Sequence, residues 1–155
     1  MRRPTAPRLG PRRAAQRGQA LVEFSIALVP FLFILMGIVD LGRAIYQMNG
    51  TAEAAREIAR VTSLHPHASG TFDLGSSTQA ASVIATQRGL IPNLAISPST
   101  DIVCVTVTDT VKADNACRPG DYVRVRVTSS FQPATPIVMV FGNHTFDSTA
   151  RAQIP

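Results

Sequence analysis

The stretch RRAAQRGQALVEFSIALVPFLFILMGIVDLGR, Arg12–Arg43, sets an apolar run directly behind a basic leader and places one acid, Glu23, at its front edge. Sixteen consecutive residues, Phe24–Val39, carry no formal charge. With Leu21 and Val22 the run approaches the roughly 17–25 residues that span a bilayer. A buried core helix is the alternative, but a chain of 155 residues has too few partners to cover so apolar a surface. The reading is a transmembrane helix half over 19–42, with membrane lipid as its first partner.

The net charge of +5 is confined to the segment in front of this run. Six of the 15 basic residues (Arg2, Arg3, Arg8, Arg12, Arg13, Arg17) precede Gly18, and the remainder holds 9 basic against 10 acidic residues. A basic stripe with interleaved aromatics is absent beyond the leader, so nucleic acid is excluded as a partner. Arginines on one side of a span place that side in the cytoplasm, and everything after about Leu41 is then extracytoplasmic. A secretory signal peptide is the competing reading. Its apolar region would exceed the usual 7–15 residues, and Asp40, Gly42 and Arg43 supply no clear small-x-small cleavage site.

Past the span, Ile38, Leu41, Ile45, Met48, Ala52, Ala55, Ala59 and Thr62 recur at spacings of three and four, the mark of an amphipathic helix. Arg43, Gln47, Glu53, Arg56, Glu57 and Arg60 fall between them. The stripe shrinks from Ile and Leu to Ala, so its partner is expected to approach closely. One helix from Leu21 to Thr62 follows, its outer half covering 43–62. Pro30 lies inside the apolar half, where it removes a backbone donor, and a kink near Val29 is expected.

A carboxylate near the start of a membrane helix is disfavoured by up to a few kcal/mol unless it finds a cation. If the chain is cut after Gly18, Gln19 becomes the N-terminus and carries a free ammonium four residues before Glu23. When such helices pack side by side, the ammonium of one subunit can meet the Glu23 carboxylate of its neighbour and set the axial register. Glu23 is therefore expected to be an assembly residue. A carboxylate in the first turns also suits the positive end of the helix dipole.

Basic leader, Gly18, four residues, then Glu23-Phe24 and an apolar helix together resemble the class III signal of type IVb prepilins. The following GIVDLGRAIYQMNGTAEAAREIAR, Gly37–Arg60, is similar to the TadE-like family of pseudopilins from tight-adherence (Flp) pilus systems. PGDYVRVRV, Pro119–Val127, is a weaker point of likeness. The resemblance implies cleavage after Gly18 by a membrane-embedded prepilin peptidase, with Gly18 and Gln19 flanking the bond and Glu23 and Phe24 as assembly and recognition residues. It also implies a role as minor pilin or pilus-assembly factor, with other pilin or pseudopilin subunits and the Tad assembly machinery as partners. Glycine at the cut has a physical rationale of its own: a protease threads extended backbone, and a residue without Cβ allows close approach.

Beyond Thr62, SLHPHASGTFDLGSS, Ser63–Ser77, reads as a loop. His65 and His67 flank Pro66 there with no Cys or third His nearby, so no metal is expected. Ser77–Arg88 reads as a short helix stopped by Gly89. The period then changes. Val103, Val105 and Val107 alternate with Cys104, Thr106 and Thr108, and Val123, Val125 and Val127 alternate with Arg124, Arg126 and Thr128, as in half-buried antiparallel strands. Pro119–Asp121 turns into the second strand, and His144–Ile154 supplies a third. A three-stranded sheet needs a cover for its valine face, and the outer half of the long helix offers one. The apolar, proline-broken connection Pro133–Asn143 is expected to cover a sheet edge or lean on the membrane surface.

Cys104 and Cys117, the only cysteines, fall in the part expected outside the cytoplasm, so a disulfide is expected. Cys104 is placed on the polar face of its strand, and closing the loop would contribute about 2–3 kcal/mol.

The fold class is thus α+β and pilin-like: leader 1–18, helix halves 19–42 and 43–62, loop and short helix 63–100, and a sheet region 101–155. No nucleophile elbow, phosphate loop, metal cluster or paired carboxylate occurs at a useful spacing, so the chain is read as no enzyme and without cofactor. Two functions remain: a processed subunit that packs by its N-terminal helix into a pilus or its assembly complex, and an uncleaved, membrane-anchored extracytoplasmic binding module.

Overall fold

The computed structural model describes residues 12–66, 74, 77–112, 117–135 and 142–155, with side chains from Gly18 onward. Most of the leader, His67, much of the 63–77 loop and the apolar residues 136–141 lie outside the described residues. The fold is α+β. Helix α1 (Arg12–Leu64) is a single helix of 53 residues that contains Pro30, beginning nine residues ahead of Leu21 and ending two beyond Thr62. The chain divides between Val39 and Asp40 into two units.

In the first unit, the apolar side chains from Leu21 to Val39 are almost all exposed. The second unit begins three residues inside the segment read as membrane-spanning, and its organising element is strand β3 (Tyr122–Phe131). Val123, Val125 and Val127 are fully buried on one face, and Arg124 and Arg126 stand on the other. Strand β4 (His144–Gln153) pairs antiparallel with the whole of β3, from Tyr122 opposite Gln153 to Phe131 opposite His144.

The other edge of β3 is shared by two short strands, making four in all. Strand β1 (Leu94–Ala95) pairs with Ser129 and Thr128, and β2 (Ile102–Val105) with Val125–Tyr122. Ala95 faces Thr128 and Ile102 faces Val125, so the edge takes seven steps where β3 takes three. The four extra residues form the single helical turn α3 (Pro98–Asp101), which begins on proline as helix starts favour. β1 is the strand absent from the three-strand expectation: two residues are too short to show a period.

The face of β2 differs from the expected one. Ile102 and Cys104 lie opposite Val125 and Val123 in the core, both fully buried, whereas Val103 faces Arg124 on the outer side. Cys104 therefore sits on the core face and not the polar face. The valine alternation misled because the strand ends at Val105. The chain turns through Thr106–Thr110, with Asp109 at φ 65° and the Thr106 N–H donating to the Thr110 carbonyl at 2.9 Å, and Val107 is left exposed.

Pro119 and Gly120 form the turn before β3. The Asp121 N–H donates to the Arg118 carbonyl at 2.9 Å, and Gly120 takes φ 92°, as position i+2 of a type II turn requires. Helix α2 (Thr78–Leu90) is capped by the Ser77 hydroxyl, which accepts from the Ala80 N–H at 3.2 Å. It runs through Gly89 instead of stopping there. The stop comes from Pro92, which forces the preceding residue out of the helical region, and Ile91 is extended at φ −112°, ψ 119°.

The core joins the valines of β3, Ile102 and Cys104 of β2, Ile84 of α2, and Ala54, Ala55, Ile58 and Ala59 of α1. Three alanines among the four α1 residues let the helix approach the sheet closely. Gly50 does the same for the link after α2, since a Cβ there would meet Ile91 Cγ1 at 3.2 Å. Cys104 and Cys117 form a disulfide with a Cα–Cα distance of 5.6 Å, tying β2 to the connection before β3.

Candidate functional site: the exposed helix and its junction with the sheet

Gly18 and Gln19 are exposed, and a Cβ on Gly18 would meet nothing within 4 Å. The bond between them lies inside α1, with helix on both sides from Arg12. Binding this bond as extended backbone would require unwinding a turn of α1. Glycine inside a helix weakens it by about 1 kcal/mol relative to alanine, which favours opening at this place.

Glu23 is exposed and, among the described residues, has no hydrogen-bond or ion-pair partner. Gln19 precedes it by four residues and shares its helix face. Phe24 is 63% exposed, and neighbouring Leu21, Val22 and Ile26 are as open. Among the described residues, the only side-chain hydrogen bond in this part of the helix is internal, from the Ser25 hydroxyl to the Leu21 carbonyl at 2.8 Å. Pro30 has no N–H to donate to the Ile26 carbonyl, one turn back.

Asp40 opens the second unit and is buried. Its carboxylate accepts the backbone N–H of Thr135 at 2.7 Å and that of Ala134 at 3.0 Å, and the Arg43 guanidinium at 2.8 Å. Two turns on, buried Gln47 donates through Nε2 to the carbonyls of Pro92 and Ser130, each at 3.0 Å. Next, the Thr51 hydroxyl lies 2.7 Å from both the Gln47 carbonyl and the Ser129 hydroxyl. Thr51 has one proton, so when it donates to the Gln47 carbonyl it accepts from Ser129.

This polar row corrects the amphipathic stripe. Leu41, Ile45 and Met48 do not face the sheet: they are 61%, 49% and 52% exposed. The inward face is Asp40, Gln47, Thr51, Ala54, Ala55, Ile58, Ala59 and Thr62. Near Asp40 the helix meets the segments before β1 and after β3, whose backbone groups polar side chains can hydrogen-bond. Farther along, over the sheet's valine face, the partner is apolar and alanine and isoleucine return. The spacing of the row, seven and then four residues, is helical, but its side chains are polar, so the apolar period does not reveal it.

The charged positions farther along α1 are solvated. Arg60 pairs with Glu57 at 2.8 Å and Arg56 lies 3.6 Å from Glu53. His65 Nδ1 lies 3.3 Å from the Val61 carbonyl, and His67 is outside the described residues.

Among the described residues, one helix is long and apolar enough to cross a membrane, Gly18–Leu64, and its most apolar stretch is unburied. No curated protein and no solved structure matches the chain. Residues 18–60, from the glycine at the leader boundary through the polar row to the alanines that meet the sheet, match the family described as TadE-like protein.

Proposed function

We propose that this chain is a minor pilin or pseudopilin of a tight-adherence pilus or a related secretion apparatus, held in the membrane and incorporated through its N-terminal helix. The TadE-like match over 18–60 associates it with Tad pilus machinery in general. The observation that carries the finer reading is the division of that matched segment. Its first part is a helix with exposed apolar side chains, and its second part is pinned to a folded α+β unit. One part is available to lipid or to other helices while the other carries a domain.

In this reading a prepilin peptidase cuts after Gly18, and the new Gln19 ammonium of one subunit meets the Glu23 carboxylate of another. The six leader arginines keep the N-terminus cytoplasmic and the sheet unit extracytoplasmic. N-terminal sequencing of the protein from its native membrane tests this. A mature chain starting at Gln19 supports it. An intact leader, with no trimmed species in the cell, overturns it in favour of an uncleaved anchored binding module.

A further inference from the structure

We infer that the first two turns of α1 inside the folded unit, Leu41–Met48, are a lipid-contact surface, so that the base of the sheet unit sits in the headgroup layer of the outer leaflet. This rests on reading the preceding helix as a membrane span.

Polarity over these turns is inverted for a helix entering water. The polar side chains Asp40 and Gln47 are buried against the sheet unit, while Leu41, Ile45, Tyr46 and Met48 are 49–63% exposed. Arg43 is the one cation between Asp40 and Glu53, and Asp40 neutralises it at 2.8 Å. Its guanidinium also stands over the Phe131 ring at 5.6 Å. The outward surface thus keeps no uncompensated charge until Glu53, which is 70% exposed.

Leu41–Met48 follow directly in sequence on the uncharged run Phe24–Val39, read as membrane-spanning, which selects acyl chains and headgroups as the occupant. A hydrocarbon core takes about 20 residues of helix, the interval from Glu23 to Arg43. The five residues on to Met48 add about 7.5 Å of rise, close to the depth of one headgroup layer. Tyr46 carries the amphipathic ring favoured at that depth. Asp40 hydrogen-bonds the Ala134 and Thr135 N–H groups, so the start of the segment after β3 lies beside the inner edge of this surface.

The test is spin labelling of the full chain in phosphatidylethanolamine–phosphatidylglycerol vesicles at high lipid-to-protein ratio. Single cysteines replace Phe31, Ile45, Met48 or Glu53, the native pair being closed in the disulfide. Labels at 45 and 48 are expected to collide more with oxygen than with a water-soluble nickel chelate, with the order reversed at 53. Nickel-accessible labels at 45 and 48 overturn the inference, as do labels there shielded from both reagents, which would mean a protein partner or second copy. A label at 31 that fails to report lipid would instead overturn the span itself, which separates the two failures.

Discussion

The Asp40 carboxylate accepts the Thr135 N–H at 2.7 Å across 95 positions of sequence, and this contact fixes where the helix joins the sheet unit. Replacing Asp40 by Ala leaves two backbone donors and the Arg43 charge without their acceptor. Amide hydrogen exchange at Ala134 and Thr135 is expected to accelerate, and the melting temperature to fall. Asp40→Asn keeps one acceptor oxygen and is expected to give a smaller effect. Unchanged exchange in Asp40→Ala would remove this account of the junction.

The two faces of α1 are expected to respond oppositely to truncation. Ile58 is fully buried against the sheet, so Ile58→Ala is expected to destabilise by about 2–5 kcal/mol in denaturant titration. Ile45 is 49% exposed, and Ile45→Ala is expected to leave the midpoint within about 0.5 kcal/mol of the parent. Equal losses would refute the face assignment.

Opening the Cys104–Cys117 bridge releases a loop with a sequence separation of 13. In the chain-entropy treatment this lowers stability by about 3 kcal/mol. Mass spectrometry with and without reductant is expected to show one disulfide, and the doubly alanine-substituted chain is expected to unfold at lower denaturant. Two freely alkylated thiols in oxidised native protein would contradict the bridge.

Asp121 gives the sheet unit an acid-sensitive contact. The Lys112 ammonium and the Arg118 N–H, the latter at 2.7 Å, hold its carboxyl below the ordinary value of about 3.9. A pKa lowered on folding contributes stability above the unfolded value and loses it as pH falls through the folded one. The melting temperature is expected to drop as pH falls from about 4. Asp121→Asn is expected to be less stable at neutral pH and to show a shallower acid slope, which thermal melts at several pH values would measure.

Processing and assembly are expected to separate genetically. Gly18→Leu is expected to block the cut, read as retention of the leader by mass. Glu23→Ala is expected to be processed and then to fail incorporation, read as loss of the subunit from sheared pili. Normal incorporation of Glu23→Ala would end the electrostatic account of that residue.

Much of the fold was legible where a residue's type and period agreed with its environment. The β3 valines alternate with arginines, and they are the core and the outer face. The apolar run and the alanines after Ala52 marked one long helix with a close-packed end. Legibility failed at places ruled by a distant partner. Ile102 and Cys104 turn inward because β2 pairs with β3 in a particular register, and Val107 is exposed because the chain bends away after Val105. Gly89 looked like a helix stop, yet Pro92 sets it.

By itself, the sequence determined the uncharged run behind its arginines, the placement of Gly18 and Glu23 at the run's edge, and the two valine-rich strands, since these follow from local composition and period. Only the tertiary structure decided which face of α1 turns inward. Asp40, Gln47 and Thr51 face the sheet unit because their side chains hydrogen-bond to groups in β3 and in the segments before β1 and after β3. Those groups come from Pro92, Ser130, Ala134 and Thr135, with the Ser129 hydroxyl beside them, and folding alone brings them to the helix.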